Sequence, residues 1–193
     1  MRRTITTVGH SNHEPDEFVG LLKKVGIQHV VDIRSQPYSR FAPQFNFGAL
    51  RSLLADHGIE YTHDKDLGGW PDSEDMYDAA GHVLYGRLAE SRDFEQAVER
   101  LETAVKTPHV LAIMCGEEDP TECHRRLLVG KVLGDRGWQV RHLRGGGHLM
   151  SEEELTDVSG GVEPGLFEGG EFSAWRSIRS VSPRNPPNSS SEH

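Results

Sequence analysis

Short apolar runs alternate with amphipathic stretches along most of the chain, and this alternation predicts strands that take turns with helices. The run 29–33 holds three β-branched apolar residues. Before it, apolar side chains recur at helical spacing from Phe18 to Val25, and Gly26 ends that pattern. Strands that alternate with helices are typical of a mostly parallel sheet covered by crossover helices. The predicted strands are 4–8, 29–33, 59–63, 109–114 and 138–143.

The segment 109–114 is nearly all apolar, as expected for a central strand that a parallel sheet buries on both faces. It ends at Cys115. Asp119 followed by Pro120 has the pattern of an N-cap and a first helical residue, which predicts a helix from there to about Asp135. The predicted fold is a three-layer, Rossmann-like α/β domain with a mostly parallel sheet of about five strands, over residues 1–150.

The composition changes after about residue 150. The segment 151–193 holds three basic and eight acidic residues, four prolines and a Ser/Asn-rich end. Such a composition is typical of a flexible tail, which we expect to be dispensable for folding. A few apolar side chains in this tail offer a patch that can dock on a domain: Phe167, Phe172, Trp175 and Ile178.

The chain of 193 residues has a net charge of −9, so no basic surface attracts nucleic acid in bulk, although a local basic pocket remains possible. It has two cysteines, fewer than a secreted disulfide scaffold would use. Its start lacks the apolar run of a signal peptide, and no stretch approaches the length of a membrane span. We therefore expect a cytoplasmic protein with reduced thiols and no membrane partner.

Polar side chains that can act in catalysis or bind a ligand follow the predicted strands. Because the carboxyl ends of parallel strands meet at one edge of a sheet, and ligands bind outside those ends, we expect a single site there. The residues at these strand ends and at the next helix start are Gly9, His10, Ser11, Asp32, Arg34, His63, Cys115, Gly116, Glu117, Cys123, His124 and Arg125.

Several of these residues also carry a family resemblance. The stretches that carry it are 7–11, 32–34 with Pro37, Ser39 and Phe41, 58–61 with 67–69, and 115–120 with 123–125. In them, and over about residues 4–143, the chain resembles the bacterial and archaeal family called domain of unknown function 488. The resemblance implies an α/β fold and a shared polar site. It implies no particular reaction, since the family has no settled activity.

The two cysteines have more than one interpretation. In the first, a thiolate acts as a nucleophile or redox group, and His124 and Glu117 move protons. Cys123 is then the expected reactive thiol, because the N-terminus of a helix stabilises negative charge in its first turn. In another interpretation, Cys115 is a small buried side chain and His124 only orients the loop.

A metal site is the third interpretation. Cys115, Cys123 and His124 supply ligands of the right types, and His10 or His63 can add another. The spacing of two cysteines seven residues apart, with a histidine directly after the second, matches none of the common zinc patterns. The metal therefore stays unknown, and the sequence identifies no cofactor.

Arg34, Arg40 and Arg125 can form an anion clamp, since guanidinium groups match the geometry of phosphate and carboxylate. The alternative is internal salt bridging of Arg34 or Arg125 to Asp32 or Glu117. Glycines such as Gly9 after a strand allow close ligand approach or a tight turn.

The loop 35–46 is longer than most connections from strand to helix, which suggests a lid or a binding loop. Its aromatic side chains, with that of Phe47, surround Arg40. Such a mixture can stack the bases of single-stranded nucleic acid, or it can anchor a long loop on its domain.

Two functions are compatible with these residues. The first, which the clustering of cysteine, glutamate, histidine and arginine favours, is an enzyme acting on an anionic substrate, nucleotide-like or nucleic acid. The second is a non-catalytic binding or sensor domain that uses the same pocket for a ligand or metal. The candidate catalytic residues are Cys115, Glu117, Cys123 and His124, and the candidate anion-binding residues are Gly9, His10, Ser11, Asp32, Arg34, Arg40 and Arg125.

Overall fold

The strands form one sheet in a computed structural model that describes residues 3–105, 109–158 and 175–181. Within these residues the strands are β1 (Thr4–Gly9), β2 (His29–Asp32), β3 (Glu60–His63), β4 (Leu111–Cys115), β5 (Gln139–Leu143) and β6 (Leu149–Ser151). Their order across the sheet is β3-β2-β4-β1-β5-β6. The first five pair in parallel, and β6 runs antiparallel to β5. The mostly parallel sheet is confirmed, with one short antiparallel strand added at its edge.

Helices cover both faces of the sheet, so the three-layer α/β fold is confirmed. Successive side chains of β4 point to opposite faces, with Ile113 in one apolar core and Met114 in the other. One core packs against two helices, α1 (Pro15–Lys24) and α2 (Phe47–Asp56). The other packs against α3 (Tyr85–Ala89), α4 (Arg92–Ala104) and a helix made of a π-helical part (Arg125–Gly130) and α5 (Lys131–Asp135). Among the residues described, no helix combines the length and apolar character that crossing a membrane requires.

The helix after β4 begins later than the sequence predicts. The Asp119 carboxylate accepts hydrogen bonds from the backbone and hydroxyl of Thr121, and so closes a local turn instead of capping a helix. Regular helical structure begins at His124, and Arg125–Gly130 has π-helical geometry. The prediction of a helix start at Asp119 is therefore wrong, and Cys123 lies outside the helix.

Parts of the predicted tail pack on the domain. Ser151 belongs to β6, and the following helix α6 (Glu152–Val158) buries Leu155. Glu152 accepts hydrogen bonds from the buried His142 and Arg126 side chains. Trp175 packs on the core of the α3–α5 side and donates its indole N–H to the Leu127 carbonyl. Composition averaged over 151–193 conceals these contacts, and the patch residues Phe167 and Phe172 lie outside the described residues.

A chain that ends at residue 150 is expected to be less stable than the full chain. The truncation removes the buried Leu155 and the Glu152 carboxylate, which leaves His142 and Arg126 without their partner. Loss of one buried leucine alone corresponds to about 1.5–3 kcal/mol, so the melting temperature should fall by roughly 5 °C or more. A chain ending at residue 181 is the control and should melt like the full chain. Equal melting temperatures for all three would instead support a dispensable tail.

Candidate functional site

An open cleft lies over the carboxyl ends of β2 and β4, which are neighbours in the sheet. Its volume is about 390 Å³, within the range typical of small-molecule sites. Cys115 and His124 line its floor, and the loop after β2, including Arg40, forms one wall. A second hollow of about 360 Å³ shares Arg34 with this cleft and reaches His10 and Ser11. The strand-end position that the sequence predicts is therefore where the structure has its cleft.

Cys115, Cys123 and His124 form a tight cluster at the floor of the cleft. Cys115 is the last residue of β4, and its sulfur lies 3.7 Å from Nδ1 of His124. The sulfur of Cys123 lies 4.0 Å from the same nitrogen. Cys115 lines the cleft, whereas Cys123 is buried behind it. The structure thus brings together three of the four residues that the sequence assigns to chemistry.

The ring of His124 is held so that one nitrogen faces both sulfurs. Its Nε2 lies 3.1 Å from the carbonyl of Ile33, to which an N–H must donate. The neutral ring therefore has a free lone pair on Nδ1, which can accept a thiol proton. Gly69 packs on this ring, since a Cβ at that position would lie only 2.6 Å from the His124 side chain. Gly69 is a positioning residue that the sequence analysis did not assign.

The electrostatics of the cluster separate the two thiols. A hydrogen bond from the Cys123 thiol, aided by His124 and Arg125, outweighs burial and lowers the pKa of Cys115 well below its usual range. Burial and the neighbouring Cys115 thiolate raise the pKa of Cys123 well above its usual range. Burial acts to lower the pKa of His124, but the Cys115 thiolate raises it overall. Cys115 and His124 thus favour a thiolate–imidazolium pair.

The pKa directions favour Cys115, whereas the sequence analysis expects Cys123 to be the reactive thiol. That expectation places Cys123 in the first turn of a helix, but helical structure begins at His124. Cys123 is also deeply buried, with 2% of the residue exposed. These observations favour Cys115, at the end of β4, as the more acidic thiol.

The same three side chains form the one cluster with metal-site spacing among the described residues, since their ligand atoms all lie within 4.8 Å of one another. Tetrahedral zinc with ordinary bond lengths places a sulfur and a nitrogen ligand roughly 3.5 Å apart. The observed separations of 3.7 Å and 4.0 Å fit this value. His10 and His63, the further ligands that the sequence suggests, do not join: each faces Arg34 instead.

Asp32 and Arg34 form a buried ion pair beneath the cleft. The guanidinium donates from Nε and Nη2 to the Asp32 carboxylate and from Nη2 to the carbonyl of Phe45. Its Nη1 lies 2.9 Å from Nε2 of His10, and the Tyr61 hydroxyl donates to Asp32. Internal salt bridging, the alternative to an anion clamp, is therefore present at Asp32. Arg34 nevertheless lines both hollows and keeps a positive charge at the floor.

Arg125 lies at the same end of the sheet but does not line the cleft. It is fully buried and donates to the backbone carbonyls of Glu117 and Glu118. Gly9 packs on the other side of this backbone, because a Cβ there would lie 1.8 Å from the Glu117 carbonyl oxygen. Gly9 and Arg125 thus hold the loop after β4 in place, and neither is open to a ligand.

The remaining candidates lie at the rim. Ser11 has a left-handed backbone, with φ of 47°, and its N–H donates to the carbonyl of Gly116. Glu117 lines the cleft with its side chain half exposed, and burial together with the Cys115 thiolate raises its pKa. Arg40 is exposed and lines the cleft. Glu117 and Arg40 are therefore the candidates that a ligand in the cleft can reach most directly.

The loop after β2 is anchored at some positions and open at others. Ala42 and Phe45 are buried, and the Ser39 backbone N–H donates to the Asn46 side chain. Tyr38 is 69% exposed and Phe41 is 75% exposed, and both line the cleft. Phe45 thus anchors the loop, as one interpretation of the aromatic residues expects. Tyr38 and Phe41 do not.

Protonation of His10 is expected to destabilise the protein as the pH falls. Burial and the adjacent Arg34 lower the pKa of His10 to about 4, from about 6.5 in an unfolded chain. The unfolded state therefore binds more protons between these values, and about 3 kcal/mol of stability should be lost as the pH falls from about 6.5 to 4. Urea unfolding at both pH values measures this loss. His10→Gln keeps an acceptor for Arg34 and should lose less stability over that interval; an unchanged loss would contradict the assignment.

Comparison with known proteins supports the resemblance found in the sequence. A search of curated proteins and a search of solved structures each find no match. The family model described as Domain of unknown function DUF488 matches residues 14–132, which is more than half of the chain and includes β2 to β4, Cys115, Cys123 and His124. The chain therefore belongs to the DUF488 family.

Proposed function

We propose that this protein is an enzyme in which the Cys115 thiolate attacks an anionic substrate held in the cleft. The observation that carries the proposal is the placement of the Cys115 sulfur at the cleft floor, 3.7 Å from a His124 nitrogen whose ring a backbone carbonyl orients. A nucleophile, a base and a group that orients the base are the parts that cysteine-dependent group transfer requires.

Each nearby side chain has a role in such a reaction. His124 takes the proton of Cys115 and remains beside the thiolate as an imidazolium. The sulfur forms a bond to the electrophilic atom of the substrate as the bond to the leaving group breaks. Glu117 can supply the leaving group with a proton, because its raised pKa makes the protonated carboxyl easier to populate than that of an ordinary glutamate. Water then releases the product from the sulfur.

The charges and rings at the rim support a nucleotide-like anion as the substrate. The exposed Arg40 supplies positive charge in the cleft that Cys115 lines, and Arg34, paired with Asp32, lines the same cleft. Tyr38 and Phe41 present exposed rings on a backbone that buried neighbours hold fixed, so a flat base can stack on them with little loss of side-chain freedom. A long nucleic acid needs contacts with many phosphates, which a chain of net charge −9 with two arginines in the cleft does not favour.

A metal-binding domain is the second candidate, because the separations within the cluster fit tetrahedral zinc. Zinc would hold both sulfurs and Nδ1 of His124 and leave a fourth position toward the cleft. Cys115 would then be a ligand and would not act as the nucleophile. The two candidates therefore differ in whether the native thiols react freely.

Alkylation with iodoacetamide at neutral pH, followed by mass spectrometry, tests the nucleophile. The native chain and Cys123→Ser should each take up one label, on Cys115, and Cys115→Ser should take up none. Metal analysis of the same samples should find less than one zinc per ten chains. One zinc per chain, with labelling that begins only after chelation, would establish the metal site in place of the nucleophile.

Protection of Cys115 by ligands tests the substrate class. A mixture of ribonucleoside monophosphates should slow alkylation of Cys115 at least tenfold, and inorganic phosphate alone should slow it less. Arg40→Gln should weaken this protection, whereas Arg51→Gln, which changes an exposed arginine that does not line the cleft, should leave it unchanged. Equal protection in both variants, or none in the native chain, would remove nucleotide-like anions as substrates.

A further inference from the structure

The Cys115 and Cys123 sulfurs lie within 4.8 Å of each other. Both cysteines are free. We propose that Cys123 is a resolving thiol, which forms a disulfide with Cys115 after a hydroperoxide has oxidised Cys115. This inference rests on the proposed nucleophilic Cys115, and it adds a second, redox reaction at the same site with hydrogen peroxide as the oxidant.

Access to the two sulfurs is unequal in the way that such a pair requires. Cys115 lines the cleft and has 7% of the residue exposed, so a small oxidant can approach it from the cleft. Cys123 does not line the cleft and lies behind Cys115, with 2% of the residue exposed. The Cys123 sulfur therefore meets an oxidised Cys115 before it meets any external reagent.

The chain between the two cysteines permits the bond. Cys115 ends β4, and Cys123 lies in the irregular segment just before helical structure begins at His124. A disulfide requires the sulfurs, which lie within 4.8 Å of each other, to approach to about 2.05 Å, and rotation of the two side chains can provide part of this approach. The Cys123 backbone is hydrogen-bonded to Pro120 and to the first turn of the helix, so the remaining approach must come mainly from the side chains.

His124 can serve both steps, since its Nδ1 lies 3.7 Å from one sulfur and 4.0 Å from the other. In the first step, the Cys115 thiolate attacks one peroxide oxygen, the O–O bond breaks, and the departing hydroxide takes a proton from the imidazolium to leave as water. Cys115 is now a sulfenic acid.

In the second step, the Cys123 thiol gives its proton to the neutral His124 ring, and its sulfur attacks the sulfur of Cys115. The S–O bond breaks, and the hydroxide leaves as water with the proton from His124. In total, two thiols are oxidised to one disulfide and one hydrogen peroxide is reduced to two waters.

Treatment of the full chain with one equivalent of hydrogen peroxide, followed by intact mass measurement without reductant, tests the inference. The native chain should lose the mass of two hydrogens within one monomer, and dithiothreitol should restore it. Cys123→Ser should instead gain one oxygen on Cys115, as a sulfenic acid that dimedone traps. Cys115→Ser should show neither change. Cys123→Ala is a second variant, in case the serine impairs folding, and thermal unfolding of each variant checks that it is folded.

The outcomes separate this inference from the proposed function. One outcome would overturn the resolving role alone. In it, iodoacetamide labels Cys115, but dimedone traps a sulfenic acid in the native chain as readily as in Cys123→Ser. A disulfide between two monomers would also overturn it. Absence of iodoacetamide labelling and of oxidation in the native chain would overturn both.

Discussion

Replacing Arg125 with methionine is expected to cost about 2–4 kcal/mol of the free energy of unfolding. Methionine fills much of the same volume but donates no hydrogen bond. The carbonyls of Glu117 and Glu118 would lose the guanidinium that donates to them. These carbonyls lie close to Gly9, where there is no room for a side chain. Urea unfolding at pH 7 measures the loss, and Arg125→Lys, which keeps the charge and at least one donor, should lose less.

The same substitution should also act on the chemistry, because Arg125 is among the groups that lower the pKa of Cys115. The pH at which Cys115 becomes half reactive toward iodoacetamide should therefore rise in folded Arg125→Met. A variant that is within about 0.5 kcal/mol of the native protein would show that the buried arginine does not hold the loop after β4.

Replacing His124 with glutamine is expected to reduce the alkylation rate of Cys115 at pH 6 by tenfold or more. Because the pKa of Cys115 lies well below that of an ordinary cysteine, its thiolate persists to a lower pH than an ordinary thiolate does. Glutamine carries no positive charge, so the thiolate fraction at pH 6 should fall by tenfold for each unit by which the pKa of Cys115 rises above 6. Above about pH 10 both proteins hold the thiolate, and their rates should converge.

His63→Gln provides the matched control. His63 is the last residue of β3 and contacts the backbone of Arg34, but it lies outside the sulfur cluster. Its rate profile should match that of the native chain. Identical profiles for His124→Gln and the native chain would mean that the histidine does not stabilise the thiolate.

The fold and the location of the site were predictable because they depend on local patterns. The apolar run before Cys115 identifies the central strand, and the polar residues after three parallel strands identify the edge at which they meet. Binary pattern and chain direction suffice for both. β6 was not predictable in the same way, since three residues with mixed exposure give no clear alternation.

The roles of individual residues depended on three-dimensional detail that the sequence does not encode locally. Which cysteine is activated follows from the depth of each sulfur and from the turn at Asp119, which delays the helix past Cys123. Arg125 resembles an anion ligand in sequence, yet its guanidinium is aimed at backbone carbonyls. Such outcomes are decided by side-chain direction, which spacing alone leaves open.

The π-helical turn at Arg125–Gly130 sets the direction of the side chains just before it. A π turn contains one more residue than the α-helical turn it replaces, and such turns often occur at functional sites. Rewinding this turn as an α-helix without shortening the chain would rotate everything before it by about 100° around the helix axis. His124 would turn away from the sulfurs, and Arg125 would turn away from the loop. The orientation of both side chains therefore depends on the wider turn that follows them.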